Sequence, residues 1–99
     1  METSHQTAVK VKSERELERI VKGVANHRRI QILRLLAKEP ELSLEGICSR
    51  VKIDVKTGWE HVRRMAIAGI VLKRSEGRSV RHRLSSRGDN ILTFLGMLE

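Results

Sequence analysis

Apolar residues in this chain keep helical spacing as far as Gly69 and then change period. Upstream, four segments repeat apolar residues along one face of an α-helix. Downstream, Ile70-Val71-Leu72-Lys73-Arg74 and Ser79-Val80-Arg81-His82-Arg83-Leu84 read as two short strands around Ser75-Glu76-Gly77-Arg78, a hairpin turn signal. Residues 87–98 then close the chain as an apolar helix. The predicted order is helix, helix, short helix, helix, hairpin, helix: a mainly α fold with a small β-hairpin, and no internal repeat.

The helices carry their own start and stop signals. Ser13 and Glu16 make a capping box, followed by Leu17, Ile20, Val21 and Val24 at i, i+3, i+4 and i+7, with Gly23 and Asn26 suggesting a break. A second helix is predicted from His27 to Lys38, with Ile30, Leu33 and Ala37 as one stripe widened by Ile32, Leu35 and Leu36; Pro40 stops it. Ser43 caps a short third helix bearing Leu44, Ile47, Cys48 and Val51. Lys52 and Ile53 make a turn, and Asp54 caps a fourth helix over 55–68. Its buried stripe is expected to be Val55, Gly58, Val62, Met65, Ala66 and Gly69, with Trp59 at the border. Residues 1–12 show no helical period and are expected to be a flexible tail ahead of a single domain over 13–99.

Composition narrows the function. Ninety-nine residues make one domain, and a chain this short buries only roughly 60–65% of its unfolded surface, so a partner subunit would help it. Twenty Lys and Arg against 12 Asp and Glu give a formal charge of +8, which suits nucleic acid or an anionic membrane. No apolar stretch approaches the ~20 residues of a membrane span. Met1 to Lys12 has no apolar run of a secretory signal, and the lone Cys48 can form no intramolecular disulfide, so a cytoplasmic protein is expected. One Trp, one Phe and no Tyr speak against the aromatic platforms of single-strand binders and fit phosphate-backbone and groove recognition, as of double-stranded DNA, better.

Catalysis and cofactors find no support. His5, His27 and His82 lack ligand spacing, so no metal and no cofactor are expected. Cys48 sits on an apolar stripe, as a core thiol does. Ser49-Arg50-Val51-Lys52 fits a Ser-x-x-Lys pattern without the companion motifs of an acyl enzyme, and no Gly-rich phosphate loop or carboxylate pair is present. The protein is not expected to be an enzyme.

A short helix, a tight turn and a longer helix form a helix-turn-helix unit, whose second helix can enter the major groove. Opposite its apolar stripe, helix 55–68 presents Lys56, Thr57, Glu60, Arg64 and Ile67, flanked by His61 and Arg63. Between residues 73 and 87 stand six basic residues (73, 74, 78, 81, 83 and 87) and one acid, Glu76. Strand alternation puts Ser79, Arg81 and Arg83 on one face and turns Val80, His82 and Leu84 inward.

Residues 25–95 resemble the winged helix-turn-helix regulators of the ArsR-like group. Ala25-Asn26-His27-Arg28-Arg29-Ile30-Gln31-Ile32-Leu33 is similar to the family's x-N-P-x-R-x-x-I-L opening, with His27 where Pro is common. Thr57-Gly58-Trp59-Glu60-His61-Val62-Arg63-Arg64-Met65 and Ala68-Gly69-Ile70-Val71 resemble its recognition helix, with Gly58 in place of a β-branched residue. Gly77-Arg78 and Arg83-Leu84-Ser85-Ser86-Arg87-Gly88 resemble the wing and the L-T-x-x-G that follows it. The resemblance implies a transcriptional regulator, dimeric through its terminal helices. Metal-sensing members carry a cysteine pair in the helix before the turn, where this chain has only Cys48.

On this reading Lys56, Thr57, Glu60 and Arg64 read bases, and His61 and Arg63 make backbone or flanking contacts. Arg78, Arg81 and Arg83 in the wing, residues 73–84, hold phosphates or the minor groove. The last helix is apolar nearly all round, which suggests a homodimer interface built from Leu17, Ile20, Val21, Ile91, Phe94, Leu95 and Leu98. Two other readings stay open. One is a non-specific architectural DNA-binding protein. The other is a winged-helix protein-interaction module, kept in view by Glu60 and Trp59 on or near the outer face.

Overall fold

The computed structural model describes residues 11–99. Residues 1–10, most of the expected tail, lie outside the described residues. The elements are α1 (Glu14–Lys22), α2 (His27–Lys38), α3 (Leu44–Val51), α4 (Val55–Ile67), β1 (Val71–Glu76), β2 (Ser79–Leu84) and α5 (Ser86–Met97).

Every helix begins on a side-chain cap. Glu16 N–H donates to Ser13 Oγ and Ser13 N–H to Glu16 Oε1, completing the capping box. Asn26, which reads as a break in α1, caps α2 by accepting from the N–H groups of Arg28 and Arg29. Ser43, Asp54 and Ser85 accept in the same way from Gly46, Thr57 and Gly88. Each cap contributes about 1 kcal/mol by satisfying a donor the helix leaves orphaned.

The core lies around α2. Ile32, Leu33 and Leu36 are fully buried against Ile47 of α3, Val62 and Met65 of α4, and Ile70 and Val71 at the start of the hairpin. Two stripe residues fall outside it. Ala37 stands about a quarter-turn from the centre of the buried sector of α2 and is exposed. Val55 has the right angular position on α4 but sits in its first turn, one turn before the buried Gly58, and is 48% exposed.

The hairpin is tighter than the sequence suggests. Register runs from Val71 opposite Leu84 to Glu76 opposite Ser79, so only Gly77 and Arg78 turn, with Gly77 at φ +61°. Glycine at the first turn position with positive φ matches the twist of the flanking strands. The inward alternation holds near the body only: His82 is buried and Leu84 half-buried, whereas Val80 is 40% exposed near the tip. A feature unmarked in the sequence anchors the base. Glu41 N–H donates to His82 O and His82 N–H to Leu42 O, so the segment after α2 bridges to β2.

Among the described residues, no helix is long and apolar enough to cross a membrane.

Candidate nucleic-acid interface

The crossing of α3 and α4 is fixed by a short turn and a close contact. Lys52 takes a left-handed conformation (φ 65°, ψ 52°), and the N–H groups of Lys52 and Ile53 both donate to Cys48 O. Asp54 then starts α4 at once. At the crossing Gly58 faces Cys48, whose buried thiol is pushed up in pKa chiefly by desolvation. Cys48 is a packing residue here. No group of three or more His, Cys, Asp or Glu among the described residues could hold a metal ion.

With Gly58, Val62 and Met65 buried, the opposite face of α4 is in solvent. Lys56 and Thr57 stand exposed in its first turn. The Thr57 hydroxyl donates to Asp54 Oδ2 (3.1 Å) and its N–H to Oδ1 (2.7 Å), which hold the Asp54 carboxyl below its ordinary pKa. Glu60 lies between two cations, 3.2 Å from Arg64 Nε and 4.0 Å from Arg63 Nη1. Exposed pairs of this kind contribute only about 0.3–0.5 kcal/mol, so either arginine exchanges Glu60 for a phosphate at small cost. Trp59 is 51% exposed, which takes it out of the core, and Arg63 stacks over its ring at 5.8 Å from the centroid.

His61 is half-buried at the flank of this face. Its Nδ1 lies 3.1 Å from Arg29 Nη1 of α2, while Arg29 Nη2 donates to Lys22 O, the last residue of α1. Desolvation first, then Arg29 and Arg64, hold the imidazole below its ordinary pKa.

The wing sorts its cations into two groups. Arg74 pairs with Glu41 (2.6 Å) and Glu76 (3.7 Å), and Arg81 with Glu76 (3.2 Å) and the carbonyl of Glu41 (3.4 Å). Arg87 Nη1 donates to Ala68 O at the end of α4 (2.8 Å). These three brace the fold. Arg78 at the turn, Arg83 and Lys73 are exposed and make no ion pair among the described residues. Arg81, expected to hold phosphate, stands against Glu76 and the Glu41 carbonyl in the free protein. Lys73, which sequence reasoning left among the basic run, stands with Arg78 in a cleft of about 340 Å³ that Ser43, Glu45, Trp59, Val80 and His82 also line. Wing and recognition helix thus open onto the same space.

The terminal helices meet on another side. No residue of α1 is buried, although Leu17, Ile20 and Val21 share one face. Ile20 and Val21 line an apolar groove of about 210 Å³ with Ile30, Ile91, Phe94 and Leu95. Val21, Phe94 and Leu98 are 59%, 56% and 66% exposed, while Ile20, Ile91 and Leu95 are half-buried. Of the residues expected at a dimer interface, Ile20, Val21, Ile91, Phe94 and Leu95 line this groove, whereas Leu17 and Leu98 are exposed and not part of its lining.

Residues 26–71 match the family model for winged helix-turn-helix DNA-binding domains. No curated protein matches the chain in sequence. Among solved structures it is similar to the homodimeric winged helix-turn-helix DNA-binding domain of Mb0332 from Mycobacterium bovis, a possible ArsR-family transcriptional regulator. That match has a TM-score of 0.77 at 26% identity and covers 88% of this chain and 86% of that one. HlyU from Vibrio cholerae superposes with a TM-score of 0.76 at 28% identity, over 90% of this chain and 97% of the other. The transcriptional regulator HlyU from Vibrio vulnificus gives 0.70 at 27% identity, over 85% and 88%.

Proposed function

We propose that this chain, a winged helix-turn-helix in fold, is a homodimeric transcriptional regulator of the ArsR-like group that binds double-stranded DNA sequence-specifically. The observation that carries the reading is the shared cleft. The wing tip, the N-cap of α3 and the outer border of α4 open to one side, where Lys73 and Arg78 outnumber the single acid of the cleft, Glu45, and neither makes an ion pair among the described residues. A major groove about 12 Å wide accepts α4, and the wing then lies along the adjoining backbone.

Within this reading Lys56, Thr57, Glu60 and Arg64 read base edges. Arg can pair with guanine N7 and O6, and Glu60 can accept from a cytosine amino group once its arginines turn to the DNA. His61 and Arg63 take flanking contacts. Arg78 and Arg83, joined by Lys73, hold phosphates or the minor groove, and Arg81 is reassigned to bracing the hairpin.

The dimer forms through α1 and α5. Burying Val21, Phe94 and Leu98 removes apolar surface that a 99-residue monomer leaves wet. A two-fold dimer presents two α4 helices, so its operator has inverted half-sites about one helical turn apart, 34–36 Å, or a multiple of it. The protein works in the cytoplasm without a cofactor and catalyses nothing.

Selection from a random duplex library, followed by sequencing, tests this reading. It predicts an enriched inverted repeat with that spacing. A library that emerges unenriched, although protein is bound to it, assigns the chain to non-specific binding instead.

A further inference from the structure

The pair formed by Arg29 and His61 carries an inference about how the recognition helix is set. A guanidinium carries five N–H donors and no acceptor. A ring nitrogen 3.1 Å from Arg29 Nη1 therefore has to accept, which leaves His61 Nδ1 without hydrogen and places the proton of the neutral ring on Nε2. The doubly protonated ring has a donor on each nitrogen and does not fit the contact.

Arg29 itself has little freedom. Its Nη2 donates to Lys22 O at 3.1 Å, its backbone N–H donates to Asn26 Oδ1 at 3.2 Å, and its Nε is buried with no partner among the described residues. One side chain thus spans the end of α1, the first turn of α2 and the middle of α4. A charged group whose Nε is buried unsatisfied is an expensive way to join three helices, and an apolar residue would do that more cheaply. What an apolar residue cannot do is choose a tautomer.

We propose that Arg29 is a positioning residue for DNA recognition: anchored on the last carbonyl of α1, it fixes His61 as the Nε2–H tautomer, so that the ring offers the DNA a neutral hydrogen-bond donor. The proposal rests on the DNA-binding reading of α4. His61 lines the same shallow hollow as Lys56, Thr57 and Glu60, so the added donor belongs to the face that reads DNA. Its partner is an acceptor, either a phosphate oxygen or an acceptor edge such as guanine N7. The titratable and charged groups around the ring are Arg29 and His27 on α2 and Arg64 and Glu60 on α4; with burial, all but Glu60 favour the neutral form. Because Arg29 bonds to α1, the same side chain links a helix of the dimer face to the reading face.

Long-range ¹H–¹⁵N NMR of the full chain, with the ring assigned by loss of its signals in His61→Gln, reads the tautomer directly. The result expected is a single Nε2–H tautomer that takes up its proton only below the ordinary histidine value. An Nδ1–H tautomer, a mixture, or titration at the ordinary histidine value near 6.5 overturns the proposal. In Arg29→Met the ring is expected to sample both tautomers and to titrate, and DNA affinity to rise several-fold from pH 8 to pH 6. Arg29→Met/His61→Gln should lose that pH dependence.

On the selected duplex, His61→Leu is expected to weaken binding about tenfold, the worth of one hydrogen bond, and His61→Gln to recover part of the loss. A loss equal on all sequences assigns the acceptor to phosphate; a loss confined to one base pair assigns it to that base. An unaltered affinity in His61→Leu overturns the proposal. If the chain selects DNA while His61 carries its hydrogen on Nδ1, this proposal alone fails. If the tautomer is Nε2–H but no duplex binds, the DNA reading fails and the role falls with it.

Discussion

Gly58 packs directly on Cys48: a Cβ at position 58 would stand 2.2 Å from the Cys48 sulfur. Glycine inside a helix costs about 0.5–1 kcal/mol in propensity, and the sequence alone offers no return for it. The structure supplies the return. Without a side chain at position 58, α3 and α4 approach closely enough to hold the recognition helix at one crossing.

Gly58→Ala is therefore expected to destabilise the protein, by about 1–3 kcal/mol, even though alanine is the better helix former. Cys48→Ala removes the clashing atom, so the double variant should recover much of that loss. A coupling of 0.5–3 kcal/mol between the two sites, from denaturant unfolding of all four proteins, is the expected result. Strict additivity would mean that the contact does not set the crossing.

Acid should weaken the fold before any carboxylate titrates. His82 is buried, donates Nδ1–H to Leu42 O at 2.8 Å, and is held below its ordinary pKa chiefly by desolvation; His61 is lowered as well. In the unfolded chain both take a proton near pH 6.5, while in the folded chain they resist it. The unfolded state thus binds more protons below that pH, and stability is full above about 6.5 and declines as pH falls through it. Glu41 and Asp54, both lowered, add their loss only as pH falls below the ordinary carboxylate values. Denaturant midpoints at pH 7.5, 6.5 and 5.5 should fall in that order, and less so in His82→Gln. A midpoint unchanged down to pH 5.5 contradicts the burial of these rings.

The dimer face gives a separate expectation. Phe94→Glu and Val21→Glu place a charge on residues more than half exposed in one chain, so the monomer fold should survive. Sedimentation should show a dimer for the parent and monomers for the variants. The thermal midpoint should rise with concentration only in the parent. Affinity for a two-site duplex should drop by about 100-fold or more as avidity is lost. Variants that stay dimeric would place the interface elsewhere.

The wing arginines should behave unequally. Arg78→Ala and Arg83→Ala each remove an exposed cation that makes no ion pair among the described residues and should flatten the salt dependence of DNA binding by about 0.9 in log–log slope. Arg81→Ala, which breaks an exposed contact to Glu76, should leave the slope alone and cost under about 1 kcal/mol of stability. Equal slopes for all three would return Arg81 to the DNA surface.

Local chemistry made most of this fold legible. Ser13, Ser43 and Asp54 sit where the helices begin, because a cap is decided within four residues, and the change of period at Gly69 marks the wing. What could not be read depends on contacts far along the chain. Val80 alternates correctly yet is exposed, since alternation says nothing about how far the hairpin extends past the body. Arg81 and Lys73 look alike in sequence, and what separates them is that Arg81 pairs with Glu76 and reaches the carbonyl of Glu41, 40 residues away. Asn26 looked like a helix break because the residue that ends one helical pattern also caps the next. The link from Arg29 to His61 spans 32 residues and leaves no local trace beyond the arginine's place in the family-like opening.

Reading of a particular DNA sequence by α4 and the wing distinguishes a specific regulator from a non-specific binder. Fluorescence anisotropy at ~150 mM salt, with the selected duplex and a shuffled duplex of equal length, measures it directly. A preference of about 10³-fold or more for the selected sequence is expected. Equal affinity for both duplexes, or binding to neither, would contradict it.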